Sequence, residues 1–240
     1  MTRQTGASPL QFKLAEDAAV AVEHIGEERQ PLVIIDNALP DPDGLRENAA
    51  ARNYAPIGPY YPGVRAAIED ASTEALCMSL QPIVREHLNI RRERWTGSCF
   101  YSLVTTPPER LAFIQRLPHF DGFDPEGVAI LCYLGRADQG GTSFFRPKAS
   151  GFETVTEDRF PSYKATLEAE VRAQGAPPAR YIGDGAPLFE RTRKVDAAFN
   201  RMLIYRGVML HSGAIDNTAP PPPDPSRGRL TVTGFLNPVP

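Results

Sequence analysis

Cysteine is scarce in this chain of 240 residues. The three that it has, Cys77, Cys99 and Cys132, are an odd number, lie far apart and form no CxxC pair. Because disulfide frameworks and thiolate zinc sites need paired or closely spaced cysteines, the sequence supports neither. Cys132 lies within an apolar segment, and we expect it to be a small residue of the hydrophobic core.

Long apolar runs and a large excess of one charge are also missing. No run approaches the roughly 18 apolar residues of a transmembrane helix, and the opening MTRQTGASPLQFK lacks the apolar core of a secretory signal. A formal net charge of −3 gives no electrostatic reason to bind nucleic acid or an anionic membrane. We therefore expect a cytoplasmic protein without a nucleic-acid or membrane partner.

Motifs of nucleotide-binding proteins and serine hydrolases are absent as well. The chain has no GK[ST] phosphate loop and no GxSxG elbow, and the glycines of YIGDG do not complete a dinucleotide fingerprint. The apolar fraction of 42% and the charged fraction of 23% are typical of globular proteins. We predict one domain over residues 1–240, with strands and supporting helices at 1–116 and a barrel core at 117–240 that contains an insertion at 146–199.

Histidine is rare too, with four in the chain, and two of these carry the functional argument. His119 and Asp121 open the segment HFDGFDPEGVAILCYLG, and in an extended chain residues two apart project to the same side. His211 follows Asp121 by 90 positions (211 − 121), again after an apolar run. Two histidines and one carboxylate form the facial triad of non-haem Fe(II) oxygenases. We interpret His24 and His87 as structural residues.

An arginine leads the last strand-like segment, RLTVTGFL. If this strand lay beside the one that carries His211, the guanidinium of Arg229 could pair with a carboxylate that reaches in from the metal. Arg227 is a competitor, since residues two apart face the same way. We prefer Arg229 because the alternating run begins there. The prolines at 220–223 predict a stiff link, which accounts for the 18 positions (229 − 211) between His211 and Arg229.

The order of these motifs resembles the Fe(II)/2-oxoglutarate-dependent dioxygenases, in particular the prolyl-hydroxylase-like branch. The likeness covers residues 117–236 and runs through HFD, AILCYLG, GGTSFF, NRMLIY with LHSG, and RLTVTGF. The upstream pieces PLVIIDNALPDPDGLRENA and YYPGVRA are similar to the uncharacterised bacterial family DUF6445. The resemblance implies a mainly β fold with flanking helices (α+β), a cupin-like double-stranded β-helix or jelly roll.

The resemblance also implies a reaction. His119, Asp121 and His211 would be the catalytic ligands of Fe(II), and Arg229 or Arg227 together with Tyr133 would hold the co-substrate 2-oxoglutarate. With O2, such an enzyme hydroxylates an amino-acid, peptidyl or small-metabolite C–H bond and releases succinate and CO2. The substrate, a small molecule or a peptide, would meet Tyr60, Tyr61, Arg65 and Arg116.

Three alternatives stay open on the residues alone. The first is a zinc hydrolase, because the same His/Asp/His set suits Zn(II). The second is a jelly-roll protein that binds a metal or a small molecule without turnover. In the third, His119 and His211 are unrelated structural residues.

Periodicity predicts the local elements. Strands are expected at residues 10–14, 19–25 and 31–35, and helices at 41–52, 72–88 and 163–173. Ser72 or Thr73 would cap the second helix. A hairpin should join the apolar strand at 128–134 to residues 142–145. The insertion at 146–199 is interpreted as a lid or substrate-selecting element.

Overall fold

The computed structural model describes residues 12–135, 137–183, 185–218 and 221–239. Its strands in chain order are β1 (Ala19–Ile25), β2 (Gln30–Asp36), β3 (Gly63–Ala67), β4 (Trp95–Val104), β5 (Val128–Tyr133), β6 (Gly141–Pro147), β7 (Phe189–Asp196), β8 (Met202–Arg206), β9 (His211–Ala214) and β10 (Leu230–Pro238). Its helices are α1 (Pro42–Ala50), α2 (Asp70–His87) and α3 (Phe160–Gln174). None of the helices in these ranges is both long enough and apolar enough to cross a bilayer.

Two antiparallel sheets form the body of the fold. The large sheet has the order β1-β2-β8-β5-β10-β4-β3, and the small sheet has the order β7-β6-β9. An isolated bridge between His119 and His211 adds the segment at His119 to the small sheet, beside β9. From β4 onward the chain therefore passes back and forth between the two sheets. In each sheet, a strand from early in the sequence lies beside strands from late in the sequence. This is the topology of the double-stranded β-helix, and the predicted fold class is confirmed.

Alternating side chains give the large sheet two different faces. On the outer face, strands β5, β8 and β10 pack against α1 and α2. The residues there are apolar and buried, among them Ile130, Cys132, Ile204, Val232, Leu45 and Leu76. The predicted core position of Cys132 is thus confirmed. On the inner face, residues such as Ala129, Leu203 and Tyr205 meet Phe144 and Val195 of the small sheet.

The predicted hairpin from β5 to β6 is wrong. Strand β5 pairs with β8 on one edge and with β10 on the other, while β6 pairs with β7 and β9. Because both edges of β5 are occupied, β6 has no edge there to join, and the chain crosses to the small sheet instead. Gly140 permits this crossing, since its φ is 89° and a Cβ there would collide with the carbonyl oxygen of Ala214.

The N-terminal elements follow most of the sequence predictions. Strands β1 and β2 lie where periodicity predicts them, and Asp41 caps α1 by accepting a 2.9 Å hydrogen bond from the Gly44 amide. The predicted cap of α2 is wrong: the N-cap is Glu69, because Thr73 is buried in the core instead of lying free at the helix end. Residues 12–14 form no strand, and 10 and 11 lie outside the described residues.

The insertion after β6 builds an outer layer on the small sheet. One apolar cluster contains Phe145 and Phe189 of the small sheet with Leu167 and Val171 of α3. Phe120, which lies between His119 and Asp121, contacts Phe160 and Tyr163 at ring-centroid distances of 6.1 and 6.4 Å. Helix α3 thus packs outside the small sheet, away from the inner face. The lid role predicted for the whole insertion stays a prediction.

Candidate metal centre

Backbone pairing brings His119 and His211 side by side. The His119 amide donates to the His211 carbonyl at 2.9 Å, and the His211 amide donates back at 2.8 Å. The Asp121 amide donates to the Gly207 carbonyl at 2.7 Å. Since opposite residues of an antiparallel pair share a face, both imidazoles and the carboxylate project from the same side of the small sheet.

The three side chains have the spacing of a metal site. His119 Nε2 lies 3.8 Å from Asp121 Oδ1, and His211 Nε2 lies 3.7 Å from Asp121 Oδ2. All three ligand atoms lie within 4.8 Å of one another. These separations are too long for hydrogen bonds. The two nitrogen–oxygen separations suit one shared ion, because two ligand atoms each about 2.1 Å from a metal are at most about 4.2 Å apart.

The surroundings of the triad favour metal-binding protonation states. His211 Nδ1 lies 2.9 Å from the Met209 carbonyl, which makes Nδ1 the proton-bearing nitrogen and leaves Nε2 free to bind a metal. Desolvation by the surrounding protein, followed by the charges of His211 and Arg65, lowers the pKa of His119, although 46% of its side chain is exposed. A neutral imidazole is the form that binds a metal ion.

A bound cation would stabilise the ionised form of the Asp121 carboxyl group. Burial raises the pKa of its carboxyl group, while the charges of His211 and Arg65 oppose that rise. A carboxylate that has lost part of its water shell gains from a nearby cation more than a fully exposed one does. The ring of Tyr205 packs edge-on against His211 at 4.9 Å, which helps to fix the imidazole.

Arg229 lies deep between the two sheets. It is 4% exposed and donates from Nη2 to the Gly141 carbonyl at 2.8 Å, while its Nε has no hydrogen-bond partner among the described residues. The guanidinium carbon lies 5.7 Å from the centre of the Tyr133 ring. The strand it leads does not lie beside β9, as the sequence analysis supposed. Strand β10 belongs to the large sheet, so Arg229 reaches across the interior to the small sheet.

Arg227 has a different environment from Arg229. Its side chain is exposed, and its carbonyl accepts a hydrogen bond from Gln139. The reason is that β10 begins at Leu230, so the alternation of the strand does not extend back to Arg227. Of the two arginines, only Arg229 has a buried guanidinium.

A model of a family of unknown function, DUF6445, matches residues 16–236. The chain belongs to this family. The similarity to DUF6445 seen in the upstream motifs is therefore confirmed. No curated protein matches this DUF6445 chain.

Among solved structures, the DUF6445 chain is similar to HygX from Streptomyces hygroscopicus with nickel and 2-oxoglutarate bound. The identity is 12%, the match covers 88% of this chain and 84% of HygX, and the TM-score is 0.48. It is also similar to SnoN, a non-heme alpha ketoglutarate dependent epimerase from nogalamycin biosynthesis. The identity is 11%, the coverage is 88% and 78%, and the TM-score is 0.47.

A polar row crosses the inner face of the large sheet in this DUF6445 protein. Arg65 pairs with Ser102, Ser102 with Thr231, and Thr231 with Tyr133, on four neighbouring strands. Tyr133 shares a 2.7 Å hydrogen bond with Thr142 of the small sheet. Ser102, Thr231 and Thr142 were not among the residues predicted from the sequence. The signal was available in the alternation of RLTVTGF, where the threonines occupy the face opposite to the leucine and valine.

The predicted substrate residues fall into different environments. Tyr60 is 68% exposed, whereas the hydroxyl of its neighbour Tyr61 is buried. Burial raises the pKa of Tyr61, while the charges of Arg229 and Arg65 oppose the rise. Arg116 donates to the Leu111 carbonyl at 3.0 and 2.9 Å and to the Pro177 carbonyl at 3.2 Å. These bonds tie two loops together and give Arg116 a structural role, while its predicted substrate role stays a prediction.

The donor set fits iron and an organic anion. Two neutral imidazoles and one carboxylate suit Fe(II) and leave adjacent coordination positions open. Arg229 Nη2 lies 3.8 Å from the position that a Cβ on Gly213 would take, and Gly213 is two residues from His211 on β9. The guanidinium therefore approaches the face of the small sheet that carries the triad. Its buried, unpartnered Nε is a donor that a carboxylate could satisfy.

Proposed function

We propose that this protein is an Fe(II)- and 2-oxoglutarate-dependent dioxygenase that hydroxylates a C–H bond of an amino-acid, peptidyl or small-metabolite substrate. One observation carries the proposal: a His/Asp/His triad and a buried guanidinium with an unpartnered Nε approach the same face within a double-stranded β-helix. A triad alone fits several metals. The additional buried cation fits a co-substrate that carries a second carboxylate.

Each residue has a distinct role in this proposal. His119, Asp121 and His211 would hold Fe(II) and leave three neighbouring positions open. Arg229 would pair with the distal carboxylate of 2-oxoglutarate, and the ring of Tyr133 would orient the guanidinium by cation–π contact. When bound, the iron and the co-substrate supply the oxidising chemistry with O2, and succinate and CO2 are released. The rings of Phe144 and Tyr205 exclude water from the inner side of the triad.

A zinc hydrolase explains less of the site. His119, Asp121 and His211 could bind Zn(II) and activate a water molecule. That reaction gives no role to the buried guanidinium of Arg229, whose desolvation is unfavourable without an anion. A metal-binding protein without turnover would use the same ligands but would form no succinate.

The test is an anaerobic titration of the purified protein with Fe(II) and 2-oxoglutarate. The dioxygenase should develop the weak visible charge-transfer band of the iron chelate, and it should form succinate when O2 is admitted. His211→Ala should abolish the band because one ligand is lost. His24→Ala is the matched control, since His24 lies on β1, outside the triad, and should leave the band intact. A wild-type protein that shows no band would refute the proposed function.

A further inference from the structure

A second cation, Arg65, lies on the inner face of the large sheet without an anionic partner among the described residues. Arg65 occupies the middle of β3, and within the described ranges its guanidinium makes no hydrogen bond or salt bridge. Its Nε is buried and unpartnered. A buried donor of this kind is unfavourable unless an anion or another acceptor meets it.

The strand register fixes the direction in which Arg65 points. Arg65 lies directly opposite Ser102 of β4, and Ser102 lies opposite Thr231 of β10. Both of these residues are fully buried on the inner face, and Ser102 Oγ is 2.7 Å from Thr233 Oγ1. The next residue on β3, Ala66, belongs instead to the core beneath the helices. Arg65 therefore projects into the space between the sheets.

Aromatic rings surround the Arg65 guanidinium. Its central carbon lies 4.3 Å from the centre of the Tyr61 ring, 5.5 Å from that of Phe235 and 5.7 Å from that of Phe100. Such rings hold the planar group by cation–π contact and limit its access to water. They also offer an apolar surface around the charge, on which the carbon skeleton of a ligand could lie.

Arg65 faces the small sheet and is apart from Arg229. The inner face of the large sheet packs on Phe144 of β6, and Phe144 lies directly opposite His211 of β9, so Arg65 and the triad lie on surfaces that face each other. Arg229 precedes β10, and β10 is separated from β3 by β4, so the two backbones are about 10 Å apart. Arg229 also already donates to Gly141. The two guanidinium groups can therefore bind two different anions.

We propose that Arg65 binds a carboxylate of the primary substrate, and that Phe100 and Phe235 contact the apolar part of the same molecule. The inference rests on the proposed function and specifies its substrate class: an organic acid with an apolar body. The unpartnered guanidinium accounts for the binding of an acid, because a carboxylate can accept two parallel hydrogen bonds from it. Its position on the inner face of the large sheet directs the bound acid towards the small sheet, which carries the metal centre.

The experiment compares free acids with their primary amides. The probes are N-acetylphenylalanine and N-acetylleucine, each paired with its amide, and the protein is loaded with Ni(II), which does not support turnover. Calorimetry gives each dissociation constant with and without 2-oxoglutarate. Wild-type protein should bind the acids at least about tenfold more tightly than the amides, because hydrogen bonds to a charged group are among the stronger ones. Arg65→Gln should abolish this preference, and Arg65→Lys should keep part of it.

The matched control is Arg91→Gln. Arg91 is exposed, and within the described ranges its side chain makes no hydrogen bond or ion pair, so Arg91→Gln should change neither dissociation constant. Acids that bind no more tightly than amides, or an unchanged preference in Arg65→Gln, would overturn the assignment. A loss of 2-oxoglutarate affinity in Arg65→Gln as large as that in Arg229→Gln would also overturn it, since Arg65 would then hold the co-substrate. Failure of the proposed function itself is seen separately, as the missing iron chelate band.

Discussion

The two faces of the large sheet come from the same strands but differ in chemistry. On β10, Leu230 and Val232 face the helices within an apolar core, whereas Thr231 and Thr233 face the interior between the sheets. The outer face contributes stability by removing apolar surface from water. The inner face buries hydroxyls and guanidinium groups, which adds little to stability. This difference indicates that the outer face maintains the fold and that the inner face is shaped for a ligand.

The largest effect on stability should come from the outer face. Leu76 of α2 is fully buried in the core between the helices and the large sheet. Leu76→Ala should lower the free energy of unfolding by about 2 to 5 kcal/mol, because it removes apolar contact and leaves a cavity. Urea unfolding measures the change. Met78→Ala on the same helix is the control, since Met78 is 67% exposed and should have an effect within about 0.5 kcal/mol.

The inner face should respond in ligand binding and much less in stability. Arg229→Gln removes the proposed anchor and should weaken 2-oxoglutarate binding by about tenfold to a hundredfold. Binding of Fe(II) alone should stay nearly unchanged, because the triad remains. Arg227→Gln is the matched control and should leave both affinities intact, since its side chain is exposed. A larger loss in Arg227→Gln than in Arg229→Gln would show that the anchor is Arg227.

The smallest expected effect is a reciprocal exchange on β10. Thr231→Val removes a hydroxyl whose bond to the Ser102 carbonyl is 3.4 Å long, so stability should stay level or rise by up to about 1 kcal/mol. Val232→Thr buries a hydroxyl in the apolar outer core and should lower stability by about 1 to 3 kcal/mol. Thermal and urea unfolding of both variants measure the contrast. Equal losses would show that the two faces do not differ as argued.

Local pattern predicted a good part of this molecule. The strands β1 and β2, the start of α1 at Asp41 and the core position of Cys132 all follow from residues within a few positions of one another. The ordered motifs also predicted the jelly roll, which the sheet order confirms. The start of α2 was missed because its capping position, Glu69, has no side-chain cap to be recognised in the sequence.

The sequence by itself determined which residues alternate along each strand and which side chains could bind a metal, because both depend on neighbours in the chain. Only the tertiary structure decided that β6 belongs to the small sheet and does not pair with β5. The same holds for the reach of Arg229 across the interior and for the hydrogen bonds from Arg116 to backbone carbonyls. The tertiary structure also decided that Arg65 projects from the inner face of the large sheet. The physical reason is that strand pairing is chosen by which edges are free once the whole sheet has formed, and no short stretch of sequence carries that information.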